Sequence, residues 1–352
     1  MKRHYLLDPT FLIPIIGLSS LSLSIIGSIS PHLFVNQLIF FMLGIVLYIF
    51  TSELDYRIYR RLSRPFYIIS LLLLLAVFLG PSVRGATRWI DILGFRLQSS
   101  EILKPFIFIV FAHLLTSKNA VKIKNIAFIF LLFLPIIFLI FRQPDLGNAL
   151  VYLGVFIFLL INSQINLIYI IASLLITLLF IPTIWNILKD YQKARIISFL
   201  NPHADPTGTG YNALQAIIAI GAGGFWGLGL GRGTQSHLLF LPEHHTDFIF
   251  ASLVEEIGFL GGIMVLIFYS LLLFKILYTS YRTPDPFAKL ICISVFSMML
   301  IQIFVNIGMN LGILPITGIT LPLVSYGGSS ILSIFISLGL VQSVAASQRK
   351  HL

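Results

Sequence analysis

The chain has 352 residues, of which 57% are hydrophobic and only 10% are charged, and its mean hydropathy is +0.97. This composition excludes an ordinary soluble domain and indicates a protein that crosses a membrane several times. The net charge of +10 does not indicate nucleic acid as a partner, because the basic residues are scattered at the ends of apolar segments, where anionic membrane lipids are the expected partners.

Ten apolar segments are close to the roughly 20 residues that a membrane-spanning helix needs. In chain order the predicted spans are 9–29, 32–52, 66–80, 100–118, 125–141, 147–162, 165–188, 247–278, 287–311 and 318–345. We therefore predict an all-α polytopic membrane protein with about ten transmembrane helices in one bundle, a single membrane domain over residues 1–352. The polar insertion at 189–246 is predicted to be a large extracytoplasmic loop between helices seven and eight.

The basic residues also predict the orientation. Ten spans place both termini on one side, and 14 of the 23 Lys and Arg residues fall on that side, which the positive-inside rule assigns to the cytoplasm. The other nine lie in three outer connections: Arg84, Arg88, Arg96, Lys104, Arg142, Lys189, Lys193, Arg195 and Arg232. Either these loops share an anionic ligand, or their charges are solvated or bind lipid headgroups.

The polar loop after the third span carries basic and aromatic residues. Arg84, Arg88 and Trp89 fall in RGATRW, where two arginines would clamp a phosphate and the indole would stack on a sugar. Glu101 and Lys104 follow at positions i and i+3 in the first turn of the fourth span, so they share one helical face. The alternatives are that Trp89 anchors at the interface and that Lys104 snorkels beside a helix-start acid.

The long insertion ends in a glycine-rich stretch. Seven glycines lie between residues 221 and 233, and backbone amides in such a stretch can approach an anion closely. The spacing matches neither a Walker loop nor GxGxxG, so nucleotide binding has no support. The preceding residues, YNALQAIIAI, read as an apolar half-helix that re-enters the membrane edge where protein covers its backbone; close packing is the alternative reason for the glycines.

Asp247 is the candidate general base. It follows Pro242 and Thr246 and precedes FIFASLV, so we predict that it lies in the first turn of the eighth span with Thr246 as the cap. The helix N-terminus should favour the ionised carboxylate and make it a weak base. An ionisable group at the mouth of a membrane helix indicates function, and the alternative is a carboxylate that only caps its own helix.

Other ionisable residues flank Asp247. Glu243, His244 and His245 precede it, but adjacent histidines on a turn diverge, so no tight metal site is predicted. Glu255 and Glu256 fall two turns into the eighth span and should face the bundle interior or a water-filled cavity. They form either a structural ion pair or part of a proton path, and both interpretations stay open.

Several stretches together resemble one known family. They are LDPT at 7–10, RGATRWIDIL at 84–93, QSSEILK at 98–104, QPDLGNAL at 143–150, DYQKAR at 190–195, NPHADPTGTGYNALQ at 201–215, IAIGAGGFWGLGLGRGTQ at 218–235, LPEHHTDFIFASLVEE at 241–256 and VNIGMNLGILPITGITLPLVSYGGSS at 305–330. The chain resembles the SEDS family (shape, elongation, division and sporulation) through nearly its whole length, most closely the rod-shape branch. It departs from the family pattern at Ser99, Asn212 and Ala222.

The resemblance implies a ten-span peptidoglycan glycosyltransferase that polymerises lipid II at the outer face of the inner membrane. It also implies a class B penicillin-binding protein, a transpeptidase, as the partner, and a divalent cation, Mg²⁺ or Mn²⁺, as an aid at the substrate diphosphate. The alternative function is a lipid II flippase, a transporter, to which Glu255 and Glu256 give modest support.

The family motifs assign roles to individual residues. The catalytic Asp of the family falls on Asp247, and its Glu, Lys and Arg motif residues fall on Glu101, Lys104 and Arg88. The implied reaction is an inverting glycosyl transfer in which Asp247 deprotonates a sugar hydroxyl while Arg88 and Lys104 steady the departing undecaprenyl diphosphate. The remaining predicted substrate-binding residues are Arg84, Trp89, Arg232, Gln235 and Glu243.

Overall fold

Helices make up most of the described chain. The structure is a computed structural model that describes residues 8–80, 87–92, 95–117, 122–169, 171, 186, 188–201 and 208–349. The first helices are α1 (Pro9–Ile29), α2 (Pro31–Glu53), α3 (Tyr56–Arg61) and α4 (Ser63–Ala76), the last continuing as a 3-10 turn over Val77–Leu79. Asp8 begins α1 by accepting a hydrogen bond from the Thr10 amide at 3.1 Å, with Pro9 as the first helical residue.

A short hairpin separates these helices from the next group. Strands β1 (Trp89–Ile92) and β2 (Phe95–Gln98) pair antiparallel with Trp89 opposite Gln98. Then come α5 (Ser99–Ile102), α6 (Lys104–Leu115), α7 (Ile123–Arg142) and α8 (Leu146–Ile161). The sequence predicted only a polar loop before the fourth span, because four-residue strands carry too little periodic signal to be recognised.

The second half contains the insertion and the last three long helices. The insertion holds α9 (Asp190–Leu200), α10 (Thr209–Gly223) and α11 (Thr234–His237), and α12 (Ile249–Arg282), α13 (Pro286–Asn310) and α14 (Gly328–Arg349) follow. The prediction that the last span begins near residue 318 is wrong by about ten residues. Pro315, Gly318 and Pro322 keep this apolar stretch out of a helix, since Gly318 has φ +75° and proline cannot continue one.

Six helices in the described part of the chain are long and apolar enough to cross a membrane, namely α1, α2, α7, α12, α13 and α14. Three shorter apolar helices match the predicted third, fourth and sixth spans: Ser63–Leu79, Lys104–Leu115 and Leu146–Ile161. The predicted seventh span, 165–188, lies mostly outside the described residues. The fold is therefore a multi-pass helical membrane protein, and the count of ten spans stays a prediction.

Burial identifies the centre of the bundle. In the most apolar window of each helix, 83% of α14 and 67% of α13 is buried, compared with 28% of α2 and α7. Helix α14 packs along α2, and α13 packs against α8 and α12. The outer helices expose apolar side chains such as Val46 and Phe138 to the surroundings, as expected for a face that contacts acyl chains.

The glycine-rich turn is bonded into helix α12. Gly258 has φ +80° and interrupts the helix, and the amides of Leu228 and Gly229 donate to the carbonyls of Glu255 and Glu256, both at 2.9 Å. The Phe259 amide donates in turn to Gly224 O at 2.9 Å. A Cβ on Gly258 would lie 2.3 Å from the Gly227 nitrogen, so only glycine permits this approach. Helix α12 therefore pairs with part of this irregular backbone, while Gly221, Gly224 and Gly231 stay exposed.

Candidate active site

Asp247 lies in a turn just before α12. The amides of Asp247 and Phe248 donate to Glu243 O at 3.1 and 3.3 Å, and the helix begins at Ile249. Thr246 does not cap the helix, because its hydroxyl donates back to Glu243 O at 3.2 Å. The prediction of a first-turn position is therefore wrong by two residues: Glu243, with φ +52°, starts a tight turn that delays the helix.

The backbone of this turn is held by two other elements. Asn306 and Asn310 of α13 donate from their Nδ2 atoms to Asp247 O at 3.1 and 3.0 Å. Ser325, just before α14, donates its hydroxyl to Thr246 O at 2.7 Å. Three side chains thus donate hydrogen bonds to two consecutive backbone carbonyls. They fix the backbone from which the Asp247 carboxylate extends.

The electrostatics of Asp247 differ from the expectation. Burial raises the pKa of its carboxyl to about 6, against the lowering effect of the Arg195 and Arg88 charges, while Glu243 adds to the rise. The side chain is only partly exposed and lies outside the helix, so desolvation outweighs any help from the helix dipole. At neutral pH the carboxylate is mostly ionised, and it is a stronger base than an ordinary aspartate.

Arg195 of α9 is the cation that affects Asp247 most strongly. The two side chains face the same glycine: a Cβ on Gly318 would lie 3.6 Å from Asp247 Oδ2 and 3.8 Å from Arg195 Nη1. Arg195 belongs to the motif DYQKAR and was predicted only as one of the outer cations, without a role of its own. Its position 52 residues before Asp247 offers no local signal of their proximity.

Arg88 approaches the site from the start of the hairpin. Its Nε donates to Gln143 O at 2.9 Å and its Nη2 donates to Pro144 O, so the connection between α7 and α8 fixes the guanidinium. The charge of Arg88 also lowers the pKa of Asp247, which shows that it acts on the same carboxylate. Trp89 is half-buried at the start of β1, and Arg84 lies outside the described residues.

Glu101 and Lys104 form a buried ion pair at the foot of the hairpin. Lys104 Nζ lies 2.7 Å from Glu101 Oε1, and the lysine side chain is fully buried. Beside this pair, Tyr152 donates its hydroxyl to Ser100 O at 2.9 Å. The predicted pair therefore exists, and it is buried inside the bundle. A buried pair of this kind depends on both partners, because removing one leaves an uncompensated charge.

A polar network around Asp145 joins the hairpin to the bundle. Asp145 Oδ2 accepts hydrogen bonds from Gln98 Nε2 at 2.6 Å, Ser100 Oγ at 2.9 Å and Asn148 Nδ2 at 2.9 Å. The backbone amide of Gln98 donates to Ser329 Oγ of α14 at 2.7 Å. No role was predicted for Asp145, although its place directly before the apolar run of α8 is a capping signal.

The remaining predicted residues surround the glycine-rich turn. Glu255 accepts from the amides of Gln235 and Ser236 at 2.8 and 3.2 Å, and Glu256 accepts from the Gly231 amide at 3.1 Å. Glu256 also pairs with His237 at 2.8 Å. The two acids therefore anchor the loop on α12.

The other loop residues among the predictions are oriented differently. Arg232 and Glu243 are exposed, and Gln235 is half-buried with its Oε1 atom buried and without a partner. In the described part of the chain, no three side chains of His, Cys, Asp or Glu cluster as a metal site would require.

The comparisons with known proteins agree with this architecture. The family described as "Cell cycle protein", which groups FtsW, RodA and SpoVE, matches residues 5–350. The chain belongs to this family. Among its FtsW/RodA/SpoVE relatives, the Peptidoglycan glycosyltransferase MrdB of Escherichia coli K12 is 37% identical over 346 residues, covering 96% of this chain and 93% of the relative.

Two solved structures share the fold. One comes from a study titled "Structural coordination of polymerization and crosslinking by a peptidoglycan synthase complex"; it matches with a TM-score of 0.84 and 30% identity and covers 97% of this chain and 98% of that one. The other is the rod shape determining protein RodA of Thermus thermophilus, with a TM-score of 0.72, 26% identity and 97% coverage of both chains. The SEDS resemblance read from the motifs is therefore confirmed, with the RodA type as the branch.

Proposed function

We propose that this chain is a peptidoglycan glycosyltransferase that polymerises lipid II into glycan strands during cell elongation and shape maintenance. The observation that carries the proposal is a carboxylate with a pKa of about 6, influenced by two guanidinium groups, in the turn before a membrane helix. Relatives along nearly the full length of the chain are named peptidoglycan glycosyltransferases.

Asp247 is the base in this mechanism. Its carboxylate takes the proton from a sugar hydroxyl of one lipid-linked substrate, and the hydroxyl oxygen attacks the anomeric carbon of the second. A pKa of about 6 suits this role, since the group is ionised at neutral pH and still accepts a proton readily. The fixed backbone of the turn keeps the carboxylate in place during the transfer.

Arg195 and Arg88 stabilise the leaving group. As the bond between the anomeric carbon and the diphosphate oxygen breaks, its electron pair stays on that oxygen, and negative charge builds up on undecaprenyl diphosphate. Guanidinium groups bind phosphate oxygens through two parallel N–H donors, so two such groups beside the base suit this charge. The attack from the opposite face inverts the anomeric configuration.

The other predicted residues take supporting roles. We assign Trp89, Arg84, Arg232 and Gln235 to substrate contacts in the outer loops, and the Glu101–Lys104 pair to positioning the base of the hairpin that carries Arg88. A divalent cation would take Glu243 as a ligand together with diphosphate oxygens, because Mg²⁺ commonly uses one or two carboxylates plus substrate phosphates. Such an ion would offset diphosphate charge.

The proposed location is the bacterial inner membrane, with both termini cytoplasmic and the 189–246 loop on the outer face. A class B penicillin-binding protein is the proposed partner, since a chain that this one resembles belongs to a complex coordinating polymerization and crosslinking. The transport alternative loses its sequence support, because the Glu255 and Glu256 carboxylates bond to the glycine-rich loop.

Reconstitution tests the proposal directly. Purified full-length protein with its penicillin-binding partner should convert lipid II into a ladder of glycan products, and Asp247→Asn should abolish the ladder with the protein still folded. Asp91→Asn is the matched control, since Asp91 is an exposed acid on the hairpin that pairs only loosely with Arg96 at 3.5 Å. A normal ladder from Asp247→Asn would falsify the assignment of the base.

A further inference from the structure

A cavity of about 830 Å³ lies at the end of α12 that is farther from Asp247. Its wall is formed by the start of α3, the last turns of α12, the turn into α13 and the last turns of α14. The part of α12 after the interruption at Gly258 is alone roughly 36 Å long at 1.5 Å per residue, and the Asp247 turn lies before the first residue of the helix. The cavity is therefore separate from the candidate active site.

The cavity wall carries more positive than negative charge. Its charged lining residues in the described chain are Arg57, Lys275, Arg282 and Asp285. Asp285 is already engaged, because one oxygen pairs with Arg60 at 2.9 Å and also accepts from the Phe287 amide at 3.1 Å. The wall therefore offers cations to an incoming anion, with its one carboxylate already neutralised.

Two other charged residues near the cavity, Lys275 and Asp55, already have partners. Lys275 Nζ pairs with Asp8 at 2.9 Å, so its charge is balanced from behind the wall. Asp55 lines a neighbouring pocket and caps α3 by accepting from the Arg57 amide at 2.9 Å. The remaining cations of the wall are Arg57, which also borders this neighbouring pocket, and Arg282.

Aromatic rings hold both arginines in position. The Arg282 guanidinium lies 5.1 Å from the centre of the Tyr278 ring, and the Arg57 guanidinium lies 5.7 Å from that of Tyr56. Within the described chain neither arginine makes an ion pair of 4 Å or less. The Arg57 side chain also hydrogen-bonds to the Tyr56 side chain. Because a guanidinium carries five N–H donors, such a contact leaves other donors for phosphate oxygens.

We propose that this cavity binds the phosphodiester headgroup of an anionic membrane phospholipid. Arg57 and Arg282 would bind the phosphate from two sides, and Gln348 of α14 would supply a polar contact to the rest of the headgroup. Next to the cavity, Phe274 and Tyr281 at the end of α12 are 69% and 88% exposed, and they offer an apolar face for the acyl chains. A soluble phosphate ester would leave that face unused.

The bound lipid would link the ends of α3, α12 and α14. A ligand that binds only the folded protein stabilises it by mass action, so phosphatidylglycerol should raise the unfolding temperature of the purified protein. In the orientation proposed above, this lipid belongs to the cytoplasmic leaflet. Its binding can be measured without any polymerase activity, so failure of this inference and failure of the proposed function are distinguishable.

The experiment measures binding of phosphatidylglycerol and phosphatidylcholine to the full-length detergent-purified protein by native mass spectrometry, with thermal unfolding as a second readout. The cavity variant is Arg57→Gln with Arg282→Gln. The control is Arg61→Gln with Arg64→Gln, which removes the same charge from exposed residues at the same end that do not line the cavity. Thermal unfolding without added lipid verifies that both variants fold.

We expect the affinity for phosphatidylglycerol to fall at least about tenfold in the cavity variant, equivalent to ~1.4 kcal/mol, and less than about twofold in the control. Tyr278→Leu, which keeps all charges but removes the ring under Arg282, should give an intermediate loss. Equal losses in the cavity variant and the control would overturn the proposal, as would an unchanged cavity variant. Arginine-dependent binding of soluble glycerol phosphate as tight as that of phosphatidylglycerol would overturn the lipid assignment.

Discussion

Because the pKa of Asp247 is raised, the stability of the folded protein should depend on pH. Burial raises the pKa from 3.8 to about 6, so the folded state holds the proton more tightly than the unfolded chain does. For an acid shifted in this direction, stability is greatest at low pH and declines as pH rises from about 4 to about 6. Above that window the folded protein carries the full cost of an ionised, partly buried carboxylate.

The magnitude follows from the shift. About two pKa units correspond to roughly 3 kcal/mol at pH 8 and to roughly half of that at pH 5. This is an upper limit, because the Asp247 side chain retains some exposure to water, which screens its charge. Asp247→Asn keeps the shape and removes the charge, so we expect this variant to be more stable than the wild type by about 1 to 3 kcal/mol at pH 8.

The assay is thermal unfolding of both proteins in detergent at pH 5 and pH 8. The expected result is an unfolding temperature a few degrees higher for Asp247→Asn at pH 8 and a smaller difference at pH 5. A variant that is less stable than the wild type at pH 8 would refute the reasoning, because it would mean that the carboxylate stabilises the fold. An equal difference at both pH values would show that the pKa of Asp247 is not raised.

Two further predictions concern the cations of the site. Arg195→Gln removes the charge that most lowers the pKa of Asp247, so the acidic limb of the pH–rate profile for lipid II polymerisation should move to higher pH. Asp247 Oδ2 and Arg195 Nη1 lie 3.6 and 3.8 Å from the same Cβ position on Gly318, so they are less than about 7.5 Å apart, and the expected shift is about one pH unit. Lys193→Gln, a matched loss of charge on the same helix, should leave the limb in place, and an unmoved limb in both variants would contradict the pairing. Lys104→Met leaves Glu101 buried without its partner and should lower stability by about 3 kcal/mol or more; adding Glu101→Gln should restore part of the loss, and thermal unfolding of the single and double variants checks this.

The membrane helices were largely predictable from the sequence. The boundaries of α1, α2, α7 and α13 agree with the hydropathy pattern to within two residues, because a helix that contacts lipid must be apolar along its length. The same reasoning failed for α14. Residues 318–327 are nearly as apolar as a span but contain Gly318 and Pro322, and their irregular backbone is covered by neighbouring protein rather than by lipid.

The candidate site was predictable only in part. Asp247, Arg88 and the Glu101–Lys104 pair came from motifs, and their chemistry was visible in the residue types. The role of Arg195 could not be predicted, since its proximity to Asp247 depends on how α9 packs beside Gly318. The raised pKa of Asp247 was missed for a similar reason: desolvation is set by the surrounding fold, while the sequence shows only the adjacent helix start.

Because α12 is interrupted at Gly258, the glycine-rich segment has a structural role in that helix. Its amides and carbonyls supply hydrogen bonds to the interrupted part of α12, so the segment completes the ladder of that helix. Inserting a tag or protease site between residues 224 and 231 would therefore disrupt a membrane helix, although the same insertion in an ordinary surface connection is well tolerated. Surface exposure alone is a poor guide to where this chain can be engineered.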